Sequence, residues 1–246
     1  MLILALDTTS EVGGVGVFRD HERLARVAND GPANRYSVSL FYMVDQAIEE
    51  AKVRHGMPAR GLADMGLIAV ATGPGSFTGI RVGLAAAQGW AKAFGLPVRG
   101  VSVLEALVET AQIRTDWATS ILDARRGEFF VGLFHRQPEG EADYQSRYLP
   151  ADEGSLLKPE ELDPFLARRL PEGARATCVV RGHDRAALAL RENLSSSLQW
   201  QAVTGTLVES VARLGFRDYR TGKQQAASDL DAYYIRRPDA ELHWKG

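Results

Sequence analysis

The sequence predicts an α/β fold of two related lobes, each a mixed βββαβα sheet flanked by helices. Three observations carry that prediction: short apolar runs closed by polar turns, longer segments with apolar residues at helical spacing, and the same element order recurring in each half without a short fixed repeat. The chain has 246 residues, 45% hydrophobic and 24% charged, with a formal net charge of -2. A chain this long buries roughly three quarters of its unfolded surface, so disorder is excluded as the dominant state. The charge balance excludes a polycation, and any nucleic-acid contact is therefore local.

The elements follow in order. Leu2 to Leu6 is a continuous apolar run ending in Asp7-Thr8-Thr9-Ser10, Val12 to Phe18 interleaves glycine with Val15, Val17 and Phe18, and His21 to Ala28 adds a third short segment. This is the pattern of a three-stranded antiparallel meander. Gly31-Pro32 offers a helix start, and Tyr36, Leu40, Phe41, Val44, Ile48 and Ala51 recur at helical spacing to about Lys52. Leu67 to Ala71 reads as a buried strand; Leu84 to Lys92 is Ala-rich and helical, stopped by Gly95 and Pro97. Pro97 to Val101 and Val103 to Ala111 add a strand and a helix. The second half opens with a strand at Ser120 to Leu122, a tight turn at Arg126-Gly127 and a strand at Glu128 to His135. Tyr144 to Leu149 adds a strand, Lys158 to Leu162 opens a helix, Thr177 to Val180 is a buried strand, and Arg185 to Asn193 and Thr206 to Tyr219 are helical.

Cys178 is the single cysteine, so no intramolecular disulfide forms, and MLILALDTTS lacks the basic and apolar regions of a secretion signal. No stretch approaches the roughly 18 uncharged apolar residues of a membrane span. The expected setting is cytoplasmic.

The strand-to-helix loop Gly73-Pro74-Gly75-Ser76-Phe77-Thr78-Gly79 resembles several phosphate loops and departs from each. A Walker A loop needs a lysine after its last glycine, and Ile80 stands there. A dinucleotide fingerprint needs glycine where Thr78 stands, and a nucleophile elbow needs glycine where Pro74 stands. What remains is either an anion cradle, built from backbone N–H groups and the Ser76 and Thr78 hydroxyls at a helix N-terminus, or a tight turn. Asp7, Thr8 and Thr9 fit either a magnesium-phosphate contact or an ordinary polar turn. Gly79, Gly83 and Ala87 form a small-residue stripe suited either to a partner helix or to the protein's own sheet. Tyr36, Phe41, Val44 and Ile48 cover an arc wide enough to leave apolar surface for a partner. The five histidines lie at least 34 positions apart, so no helix-borne metal pair exists. Arg125, Arg126, Arg236, Arg237 and Lys245 form small basic clusters fitted to phosphate or to solvent.

Four segments, ILALDTTS (3–10), ATGPGSFTGIRVGLAAAQGWA (71–91), LDARRGEFF (122–130) and AYYIRRPDAE (232–241), lie in one order across nearly the whole chain. Together they resemble the TsaB (YeaZ) family of tRNA threonylcarbamoyladenosine biosynthesis proteins, within the actin, sugar kinase and Hsp70-like (ASKHA, ribonuclease H-like) superfamily. Arg35-Tyr36-Ser37 departs mildly from the family's Arg, variable residue, His-Ser.

The resemblance implies a two-lobed ASKHA fold, with lobes expected at residues 1–108 and 109–246 and the C-terminal tail packing back on the first lobe. It implies a subunit with no catalytic or metal-binding residues of its own, paired with TsaD, which transfers threonylcarbamoyl to N6 of the adenosine beside the anticodon. The ATPase TsaE is the implied third component, and tRNA is met through the complex. In that family TsaD holds metal through a histidine pair, which this chain lacks. The family's pairing helices map onto about 33–52 and 79–94. The expected interface is Tyr36, Ser37, Leu40, Phe41, Val44, Gly79, Arg81, Val82, Gly83 and Ala87, with homodimerisation through the same helices when the partner is absent. No cofactor is expected to bind tightly; ATP or ADP with Mg belongs to the complex, with Asp7, Thr8, Thr9, Gly73, Gly75, Ser76 and Thr78 as candidate contacts. The rival is a stand-alone ATP-dependent phosphotransferase using Asp7 and the 73–79 loop, against which stand the missing loop lysine and the missing base. A metallopeptidase fails for want of paired ligands.

Overall fold

The computed structural model describes residues 1–29, 31, 35–57, 61–111, 113–137, 148–192, 194, 198–222 and 225–233. β1 (Leu2–Asp7), β2 (Gly14–Arg19) and β3 (Glu22–Ala28) form the expected antiparallel meander. β4 (Leu67–Gly73) joins β1 in parallel and β5 (Val98–Ser102) joins β4, giving a five-stranded sheet of order β3-β2-β1-β4-β5. β1 and β4 are covered on both faces, which is why they read as continuous apolar runs rather than alternating ones.

The second sheet contains β6 (Trp117–Asp123), β7 (Phe129–Arg136), β8 (Tyr148–Pro150), β9 (Ser155–Leu157), β10 (Ala176–Arg181) and β11 (Gln199–Val203). Its order is β11-β10-β6-β7-β8, with β9 also paired to β7. The helices are α1 (Tyr36–His55), α2 (Phe77–Phe94), α3 (Val103–Ala111), α4 (Pro159–Arg169), α5 (Arg185–Ala189) and α6 (Val208–Arg220).

Helices and sheets alternate in five layers. α1 and α2 cover the outer face of the first sheet, where Leu40, Val44 and Ile48 of α1 and Ile80 and Leu84 of α2 meet Leu4, Leu6 and Val70. α3 and α6 lie between the sheets, in a core that joins Ile3, Ala69 and Leu107 to Ala118, Val179 and Val211. α4 and α5 cover the outer face of the second sheet through Leu162, Phe165 and Ala187. A helix between two sheets is apolar nearly all round, and in α3 Val103, Leu104, Ala106, Leu107, Val108 and Ala111 are all buried. Its acids turn to α6: Arg213 reaches Glu109 at 2.8 Å and Arg217 reaches Glu105 at 2.6 Å.

The two-lobed α/β class and most elements stand where the sequence puts them. α6 follows the second sheet in sequence yet packs on β1, β4 and β5 of the first. The helix read over Arg185 to Asn193 is five residues of α-helix followed by a 3-10 turn at Leu190–Glu192. β9 and β11 are additional. After α6 the chain returns to the first sheet: Gln88 donates to the carbonyls of Ala227 and Leu230, Tyr233 N–H donates to Thr72 O, and Leu230 is buried. Tyr144, Arg236, Arg237, Lys245 and most of the 232–241 segment lie outside the described residues.

Candidate functional site

The site is built where β1 ends. Asp7 is fully buried; its Oδ1 accepts from Thr9 N at 3.1 Å and Thr9 Oγ1 at 2.6 Å. Its Oδ2 faces Arg181 Nη2 at 3.4 Å, and the same nitrogen donates to Thr9 Oγ1 at 3.2 Å. Arg181 closes the apolar strand β10 of the other sheet and is itself buried, so the pair bridges the two sheets inside the protein. The sequence gives no partner for this arginine, because 174 positions separate it from Asp7. Its only signal is a charge at the end of an apolar run.

The glycine loop meets the same turn from the other side. Thr8 Oγ1 donates to Gly79 O at 2.7 Å, Ser76 N donates to Thr9 O at 2.7 Å, and Ser76 Oγ caps α2 by accepting from Gly79 N at 3.3 Å. A Cβ added at Gly75, Gly79 or Gly83 would sit closer than 3.0 Å to Thr8 or Thr9. The glycines therefore seat the start of α2 directly on the Thr8-Thr9 backbone. Of the candidate anion contacts, Asp7, Thr8, Thr9, Gly75 and Ser76 come together and engage one another, Gly73 is buried at the end of β4, and Thr78 is exposed. Arg181 supplies the cation here. Beside it Arg181 Nη1 and Ser10 Oγ are buried without hydrogen-bond partners. Burial first, and the Arg181 charge second, hold the pKa of His183 below its ordinary 6.5.

The expected partner interface divides by direction. Tyr36, Leu40 and Val44 turn inward and are buried, with Tyr36 Oη donating to Ser10 O at 3.0 Å. Burial, then the Asp7 charge, push the Tyr36 phenol up. Gly79, Gly83 and Ala87 face the first sheet and its Thr8 turn, so the small-residue stripe is filled by the protein's own chain. These six residues are buried within the chain itself. Val82 is half-buried, whereas Ser37, Phe41 and Arg81 are exposed. The outward face carries apolar residues that periodicity passed over: Val38 is 83% exposed and Tyr42 72%, beside Phe41 at 58% and Phe77 at 49%. Phe41 meets the edge of Trp90 at 5.4 Å between ring centroids, and the Arg81 guanidinium lies 3.9 Å from the centre of the Phe77 ring. The two helices meet through the Phe41–Trp90 contact, and each carries exposed aromatic residues on its outward side.

Elsewhere, Arg125 and Arg126 form the tip between β6 and β7 at positive φ, with Arg125 N donating to Asp123 Oδ1 at 2.7 Å. Among the described residues no group of three or more His, Cys, Asp or Glu is placed to hold a metal ion, and no helix is long and apolar enough to cross a membrane.

Two mixed sheets with a helix layer between them, bridged by the buried Asp7–Arg181 pair at the end of β1, make a two-lobed α/β protein. YeaZ from Pseudomonas aeruginosa has this fold, with a TM-score of 0.73 at 23% identity over 95% of this chain and 99% of that one. The family model described as TsaD, tRNA N6-adenosine threonylcarbamoyltransferase, matches residues 32–214. The tRNA threonylcarbamoyladenosine biosynthesis protein TsaB of Bacillus subtilis is 31% identical over 99% of this chain and 98% of its own length. TsaB of Escherichia coli is 32% identical over 57% of this chain and 58% of its own length. The chain belongs to the TsaB (YeaZ) branch of the family that this model describes.

Proposed function

We propose that this chain acts in tRNA threonylcarbamoyladenosine biosynthesis as a non-catalytic pairing subunit, binding TsaD through the outward face of α1 and α2 and supporting TsaE-dependent turnover on tRNA held by the complex. The observation that carries this reading is the exposure of Val38, Phe41 and Tyr42 on α1 and of Phe77 on α2, two helices whose inward faces are already filled by the first sheet. Exposed aromatic side chains of this kind supply the buried centre of an interface once a partner excludes water. In the absence of TsaD the same face pairs with a second copy.

The phosphotransferase alternative meets two obstacles at the glycine loop. Asp7, the carboxylate it would use to hold a metal-bound phosphate, is engaged by Arg181 and Thr9, and the hydroxyls of Thr8 and Ser76 already have partners within the chain. On this reading ATP or ADP with Mg is met at the level of the complex, in the cytoplasm. The test mixes the purified chain with TsaD, reads complex mass by light scattering, and measures ATP turnover by the chain alone. A one-to-one complex without turnover by the lone chain is expected; turnover by the lone chain without a complex would overturn the proposal in favour of the phosphotransferase.

A further inference from the structure

Among the described residues three arginines are buried, and they are treated differently. Arg217 lies against Glu105 at 2.6 Å and Asp218 at 2.7 Å, and Arg181 lies against Asp7. Arg99, on β5 and only 6% exposed, has no carboxylate within ion-pair distance among the described residues. Its Nη1 donates to the carbonyl of Val98 at 2.6 Å, and its Nε is buried with no hydrogen-bond partner. A desolvated cation left in that condition is costly unless something anionic meets it.

Arg99 lines a cavity of about 720 Å³ between the β5 edge, the end of α6 and the returning chain. Arg220, Tyr219 and Gln225 line it too. The Arg99 guanidinium lies over one side of the Tyr219 ring, 5.5 Å from its centre, and the ring is 36% exposed, so its remaining exposed surface offers a flat apolar wall next to the charge. Gln225 is fixed by accepting from Gly100 N at 2.9 Å, which ties the returning chain to the strand carrying Arg99. The volume lies in the range of small-molecule pockets. The wall suits stacking of a planar ring, and the two guanidiniums suit phosphate.

We infer that this cavity binds a phosphate-bearing ligand of mononucleotide size, its phosphate on Arg99 and Arg220 and its ring against Tyr219. The site lies at the β5 edge of the first sheet, beside the C-terminal end of α2, and the inference does not depend on the proposed pairing with TsaD. The shared chemistry fits either a free nucleotide or one nucleotide of an RNA strand.

The test is calorimetric titration of the full chain with AMP, with inorganic phosphate, and with the single-stranded trinucleotide ApApA. AMP is expected to bind at one saturable site, weakened about tenfold or more by Arg220→Glu and by Arg99→Met. Tyr219→Ala is expected to weaken AMP about tenfold while leaving phosphate unchanged, because only the ring contact is removed. Tighter binding of ApApA than of AMP identifies an RNA strand as the source; equal or weaker binding identifies a free nucleotide. Thermal unfolding of each variant separates a lost site from a lost fold, and the surface variant Arg220→Glu keeps the test sharp should Arg99→Met fail to fold. No saturable AMP binding by the parent up to about 10 mM, near the weakest affinities that calorimetry reads, would overturn the inference, as would AMP binding unchanged by Arg220→Glu.

Discussion

The inward and outward faces of α1 and α2 are made from the same two helices and differ in what they still offer. Inward, Leu40, Val44, Gly83 and Ala87 are packed against the first sheet and its Thr8 turn, with no surface remaining. Outward, Val38, Phe41, Tyr42 and Phe77 stand in water. The lesson is that a small-residue stripe is first a means of approaching the protein's own sheet. Only what remains after that packing is available to a second chain.

The strongest way to break this comparison is at the inward face. Gly83→Leu drives a side chain into Thr8, and Val44→Glu places a carboxylate where the residue is 1% exposed, so each is expected to cost about 4 kcal/mol or more and to leave little folded protein. Circular dichroism melts check this; a parent-like melt with lost partner binding would instead place these residues on the interface.

Next in size is the pair that joins the sheets. Arg181→Met leaves Asp7 buried and uncompensated, with an expected loss of about 3–5 kcal/mol in denaturant unfolding, and adding Asp7→Asn should recover more than half. A single variant as stable as the parent would show that the pair does not hold the two sheets together.

The smallest effect is on acidity. His183 has its pKa lowered in the folded state, chiefly by burial and then by Arg181, so the unfolded chain binds the proton more readily. Its contribution to stability is complete above about pH 6.5, the unfolded value, and is lost as pH falls toward the lowered folded value. Imidazole proton shifts followed by NMR should give a midpoint below 6.5; a midpoint above it would contradict the partial desolvation of the ring beside Arg181.

Much of this fold was legible in sequence because local signals agreed with the global arrangement. The meander needed only three short apolar runs and their turns, α1 announced itself by spacing and α2 by its Ala-rich run and the stop at Gly95; in the structure Gly56 and Gly95 end them at positive φ. α6 did not reveal which sheet it serves, since a helical pattern carries no record of its distant partner. β11, Gln199–Val203, hid because it is a half-exposed edge strand of mixed polarity.

The site was legible in part for the same reason. Asp7, Thr8 and the glycine loop lie in recognisable turns, whereas their contact and the arrival of Arg181 are products of tertiary packing. Periodicity placed Phe41 on the apolar arc with Leu40 and Val44, yet Phe41 lies at the arc's margin and turns out to water. Val38 and Tyr42 lie beyond the arc and read as ordinary surface.

The most direct measurement of the central claim is the affinity of TsaD for a chain carrying Phe41→Glu together with Tyr42→Glu. Both side chains are exposed, so the loss in stability should stay near 1 kcal/mol, mainly the aromatic contact of Phe41 with Trp90. The account predicts a folded variant whose complex with TsaD is weakened about 100-fold or more by calorimetry. A folded variant that binds TsaD with parent-like affinity would contradict the assignment of the outward face as the pairing surface.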